Sequence, residues 1–155
     1  MTIASPFPEV QIPTTAVYEY IFGDLASDAD RIAITEVATG AEYTYRELTS
    51  RIEAFAGALA ARGLGVGDVV GLLAPNSAAF AIAFHGILRS GATATTINAL
   101  FTAKDIAKQL TDSGAAMLIT VTALAPQALQ AAAEELVFRG FLAQTLGALV
   151  SGPWL

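Results

Sequence analysis

The sequence predicts an α/β fold: a partial layered sheet covered by helices, with a separate apolar helix at the C-terminal end. Three observations predict it. From Tyr43 to Gly114 the chain alternates strand-like and helix-like segments, the order that builds βαβ units with right-handed crossovers. Asp68–Ala74, DVVGLLA, is almost uninterrupted apolar sequence, as expected of a parallel strand buried on both faces. Hydrophobic residues make up 54% of the 155 residues, enough to fill one core.

Each element follows from its own residues. Residues 1–30 form an arm and a first helix, the arm irregular because of Pro6 and Pro8. Arg31–Val37 alternates, with Ile32 and Ile34 expected inward and Arg31, Ala33 and Thr35 outward. Thr39-Gly40 turns the chain so that Glu42–Thr44 pairs back as a hairpin. Thr44-Tyr45-Arg46-Glu47 is a capping box that starts a helix with Leu48, Ile52, Phe55, Ala56 and Leu59 on one face. Gly63 is placed to end that helix, and Arg46, Arg51 and Glu53 lie on its wet side. After the buried strand, Pro75-Asn76-Ser77 leads into a helix over 77–89 that should bury Phe80, Phe84, Ile87 and Leu88. Ala92–Ile97 is a strand rich in Thr and Ala; Thr102–Asp105 starts a helix burying Ile106 and Leu110 and ending at Gly114; Ala116–Val121 is the last strand. Pro126 sits early in a further helix that should continue through Glu134.

Composition excludes several functions. The formal charge is −6, from 14 acidic and 8 basic residues, so no cationic surface is available for nucleic acid. Zero cysteines rule out disulfides, thiolate metal sites and a Cys nucleophile, and the single histidine rules out a multi-histidine metal centre within one chain. The first residues carry neither the basic start nor the apolar run of a signal peptide, so the expected compartment is the cytoplasm.

The segment YTYRELTSRIEAFAGALAARGLGVGDVVGLLAPNSAAFAIAFHGILRSGATATTINALFTAKDIAKQLTDSGAAMLIT resembles the N-terminal portion of the adenylate-forming enzymes, in their 4-coumarate–CoA ligase and acyl-CoA synthetase branch. The resemblance covers about residues 12–132 and rests on pieces in the family's order: Thr44–Leu48, Gly67–Ser77, the GATATTIN strand and the KDIAKQLTDSGA helix. It implies a parent activity in which ATP activates a carboxylic acid as an acyl-adenylate, with Mg and coenzyme A as further participants in the parent. It also places the phosphate loop, the ribose-gripping acid, the hinge and the adenylate-contacting lysine outside these residues. Residues 31–132 are therefore expected to be an incomplete N-terminal subdomain without catalysis, with no catalytic, cofactor-binding or metal-binding residue and no small-molecule substrate.

The individual candidates fit that expectation. Gly63-Leu64-Gly65-Val66-Gly67 follows a helix and precedes a strand, the reverse of the order that aims a helix N-terminus at phosphate. His85 has no orienting partner in the sequence and reads as a packing residue. Thr44, Ser77 and Thr102 fall at helix N-caps and lack the surroundings of a nucleophile elbow. Asn98 and Phe101 read as turn and packing residues.

Residues 133–155 differ in character, and EELVFRGF resembles the first E-E-x-x-x-R signature of CAAX-type intramembrane metalloproteases. That resemblance assigns water activation to Glu134, with Glu135 and Arg139 as supporting charges; the histidines that hold the metal in that family have no counterpart here. The plain alternative is a helix with Glu135 and Arg139 as an i,i+4 pair worth about 0.2–0.5 kcal/mol. Leu136–Val150 is apolar on all sides, which suits self-association or weak membrane contact, but Ser151-Gly152-Pro153 interrupts it short of the roughly 20 residues a span requires. A change of origin near 131–134, through a hybrid or a shifted reading frame, would account for the contrast. Three readings stay open at the level of sequence: a noncatalytic ligase segment, an incomplete protease segment, and an interaction module that docks through its tail.

Overall fold

The computed structural model describes residues 6–8 and 10–135. Helix α1 (Val17–Phe22) is followed by the hairpin β1 (Ile32–Thr35) and β2 (Glu42–Thr44), then α2 (Tyr45–Ala60), β3 (Val69–Leu73), α3 (Ala78–Arg89), β4 (Thr93–Ile97), α4 (Ala103–Ser113), β5 (Met117–Thr120), a 3-10 turn at Thr122–Leu124 and α5 (Ala125–Glu135). Residues 10–15 are irregular, as Pro6 and Pro8 led one to expect. Arg139 and the expected apolar helix over 136–150 lie outside the described residues.

The sheet is three parallel strands in the order β4-β3-β5, with Val70 opposite Ala94 on one side and Met117 on the other. Because side chains alternate across a strand, β3 feeds both faces. Val70 and Leu72 join Ile52, Phe55 and Leu59 of α2 and Ile82, Ala83 and Ile87 of α3. Leu73 joins Ile106 and Leu110 of α4 and Ala128 and Ala131 of α5. Gly71 leaves room on that second face, since a Cβ there would lie 2.6 Å from Leu110 Cδ2.

Local signals placed most elements. Thr44 caps α2 and Thr102 caps α4, each in a reciprocal box with Glu47 or Asp105, and Ser77 caps α3. Leu48, Ile52, Phe55, Ala56 and Leu59 are all buried. α4 ends at Gly114 in the left-handed conformation, φ 65°, where a Cβ is disfavoured. α5 runs without a break through residues 131–134.

Three expectations are corrected. Ile32 was expected inward but is 52% exposed, because the register shifts between Ile32 and Ile34; the extra residue of a bulge resets the alternation, so Ala33 and Ile34 are the ones packed on the core. α2 ends at Ala60, before the left-handed Gly63, and a turn fills the interval. The buried face of α3 is Ala78, Ile82, Ala83, Gly86 and Ile87. Of the four residues expected there, Ile87 is buried, while Phe80, Phe84 and Leu88 are half-buried beside it. Among the described residues no helix is long and apolar enough to cross a membrane.

Candidate functional site

Ligands of open parallel sheets bind outside the carboxyl ends of the strands, where helix N-termini offer free amides. At α3 and α4 some of those amides are already engaged. At the start of α3, Ala78 N–H donates to Glu36 Oε1 at 2.6 Å and Phe80 N–H donates to Ser77 Oγ at 3.1 Å. Glu36 reaches across from the hairpin, 42 residues away in sequence. At the start of α4, Asp105 N–H donates to Thr102 Oγ1 at 3.3 Å while the Thr102 hydroxyl and amide donate back to Asp105 Oδ2 at 2.6 and 3.3 Å. These bonds from Thr102 hold the Asp105 carboxyl below its usual range. In the loop between β4 and α4, Leu100 N–H donates to Asn98 Oδ1 at 2.9 Å. The starts of α3 and α4 thus each carry their own acceptor, the carboxylate at α3 being one that only the folded chain supplies, while the turn after β5 begins at Val121 without a side-chain cap.

The glycine cluster before β3 is also closed on itself. Gly65 N–H donates to Asp68 Oδ2 at 2.9 Å and Asp68 N–H donates to Gly65 O at 3.0 Å. Gly63 and Gly67 take φ of 78° and 93° to make this turn. The amides of Gly65, Ala78, Phe80 and Asp105 are thus bonded within the chain and are not free to cradle a triphosphate.

His85 is wedged between Phe22 of α1 and Phe84, ring centroids 5.1 and 5.3 Å away and nearly perpendicular to both. Its Nδ1 is enclosed and has no hydrogen-bond partner, and burial pushes the imidazole below its ordinary pKa. A base needs an orienting group, and among the described residues none bonds His85 Nδ1. Phe101, Asp105, Lys108, Gln109, Asp112 and Ser113 line a shallow, open groove along α4. There the Lys108 ammonium is paired with the Asp112 carboxylate, which raises the lysine pKa, and Gln109 Nε2 donates to Thr95 Oγ1 and Thr96 O. Among the described residues no three His, Cys, Asp or Glu side chains are placed to hold a metal ion. Glu134 and Glu135 lie on the backbone of α5, and Arg139 is outside the described residues.

Glu36 is the one residue of this end that sequence reading missed, since nothing local marks a hairpin carboxylate as the cap of a distant helix.

A family model described as AMP-binding enzyme matches residues 23–145. The match takes in Glu134, Glu135 and Arg139, the residues set apart above as a tail of different character, and the comparisons lend no support to a protease signature there. The 4-coumarate–CoA ligase 5 of Oryza sativa subsp. japonica is 37% identical over 117 residues, covering 75% of this chain and 22% of the relative. The peroxisomal OPC-8:0-CoA ligase 1 of Arabidopsis thaliana is 35% identical over 132 residues, covering 85% of this chain and 24% of the relative. A benzoate CoA ligase from Burkholderia xenovorans LB400 superposes with a TM-score of 0.75 at 29% identity, over 87% of this chain and 28% of that one. The chain spans about a quarter of the length of these proteins. With sequence and fold in agreement over most of its residues, the chain belongs to the family of AMP-binding enzymes.

Proposed function

We propose that these residues are the N-terminal scaffold segment of an ATP-dependent ligase that joins an acyl or aryl carboxylic acid to coenzyme A, and that they carry out no chemistry by themselves. In the parent reaction the acid is activated as an acyl-adenylate and then passed to the thiol of coenzyme A. What this segment contributes is a packed three-stranded sheet in which the starts of α3 and α4 are capped from within. Residues 31–132 form that scaffold, with α1 laid on it.

The observation that carries the reading is the Glu36 carboxylate on the first amide of α3. An anion already occupies the place where a parallel sheet would receive a phosphate. The relatives named above add the reaction class, since they are CoA ligases by name.

Calorimetric titration of the 155-residue chain with ATP and Mg is expected to give no saturable heat, and incubation with ATP, coenzyme A and aromatic or fatty acids no thioester. Saturable ATP binding, or thioester formation abolished by Ser77→Ala, would overturn the reading.

A further inference from the structure

We propose that α1 is an acid-released strap, held on α3 while His85 is neutral and freed when the imidazole takes up a proton. α1 has six residues, too few to persist as a helix without packing. Its hold on the body is limited to a small set of contacts. Tyr18 is buried, and its ring lies 5.2 Å from that of Phe22, which in turn meets His85 edge-on at 5.1 Å. His85 therefore stands at the joint between the strap and α3.

The charges around this joint are already matched to one another. From α1, Glu19 pairs with Arg89 of α3 at 3.6 Å; the Tyr18 hydroxyl donates to Glu53 Oε1 of α2 at 3.3 Å; Arg89 also lies over the Tyr18 ring at 5.0 Å. None of these groups bonds to His85, whose Nδ1 is sealed from solvent without an acceptor. Protonation would place an N–H and a positive charge at an atom that neither water nor a carboxylate reaches, and a buried donor left unbonded is strongly unfavourable. Release of α1 lifts the Phe22 ring off the imidazole, which opens a way for water to Nδ1 and relieves the conflict.

The sign follows from linkage. Burial holds the docked imidazole below its ordinary value of about 6.5, so the proton favours the undocked state. Docking is at full strength above the free value and weakens as the pH falls through the docked one, by up to about tenfold per pH unit for a single proton. The Tyr18 phenol, raised by burial and by Glu53, titrates far above this window.

The test is backbone hydrogen exchange of the 155-residue chain at pH 7.5 and 5.5, corrected for intrinsic rates. It reads the strap amides Tyr20, which donates to Ala16 O, and Gly23, which donates to Glu19 O, against the β3 amides. The strap should lose protection several-fold at pH 5.5 while β3 does not, and His85→Gln should abolish that difference. A wild-type strap equally protected at both pH values would overturn the proposal. So would an undiminished loss in His85→Gln, which would assign the effect to Glu19 or Glu53. Should His85→Gln lose β3 protection as well, NMR titration of the wild-type imidazole decides: a value at or above that of a free histidine overturns the strap, and a depressed one supports it.

Discussion

At the scale of the residue, Gly86 shows how one missing methyl group sets a helix contact. In the interior of a helix glycine is about 0.5–1 kcal/mol worse than alanine, yet a Cβ at this position would lie 2.6 Å from Phe55 Cδ1 and 3.2 Å from its Cβ and Cγ. Phe55 is 5% exposed, so its ring has nowhere to swing. Gly86→Ala is expected to lower stability by about 1–3 kcal/mol through overpacking, despite the better helix former. Urea unfolding would report it as an earlier midpoint at unchanged slope; a later midpoint would mean that α2 and α3 can separate without loss. The same scale explains what the sequence discloses. Thr44 with Glu47, and Thr102 with Asp105, are legible because both partners of each box sit three residues apart. Ile32 is misread because alternation carries no mark of a bulge, and Glu36 because its partner is remote.

At the scale of the element, that Glu36 bond makes the hairpin a part of the core rather than an appendage. The hairpin meets α2 at the Thr44 junction and through the Arg51 guanidinium, 5.0 Å over the Tyr43 ring, and among its described side-chain hydrogen bonds the one to α3 is that of Glu36. Glu36→Ala leaves the Ala78 amide without its charged acceptor and is expected to cost about 1.5–3 kcal/mol. Hydrogen exchange should then rise in β1 and β2 well before β3, whereas uniform loss across both would contradict a local role. The face of α3 was only partly legible for a related reason. Its apolar residues surround much of the helix, and the choice of Ile82 and Ala83 over Phe80 and Phe84 is made by where α2 lies, with Gly86 against Phe55. In α4, polar residues on the far side leave one face free for Ile106 and Leu110, and the reading holds.

At the scale of the whole molecule, the parallel sheet and its alternating helices were legible because the buried strand, the caps and the glycine stops agree with one another. The candidate site was legible mainly through its local caps, since closure of a helix start by a distant carboxylate is a property of the assembled fold. Among the described residues neither β4 nor β5 has a further strand on its outer side, and Val37, Val66 and Leu100 are at least 90% exposed. Open strands and uncovered apolar loops promote association, so sedimentation velocity is expected to show the average mass rising with concentration. A single monomeric boundary across a hundredfold range would contradict this. The order β4-β3-β5 has one more consequence, for synthesis on the ribosome. Since β3 is translated before its two neighbours and stands between them, each newcomer meets a waiting template, and the sheet widens outward without any segment being threaded into a gap already formed.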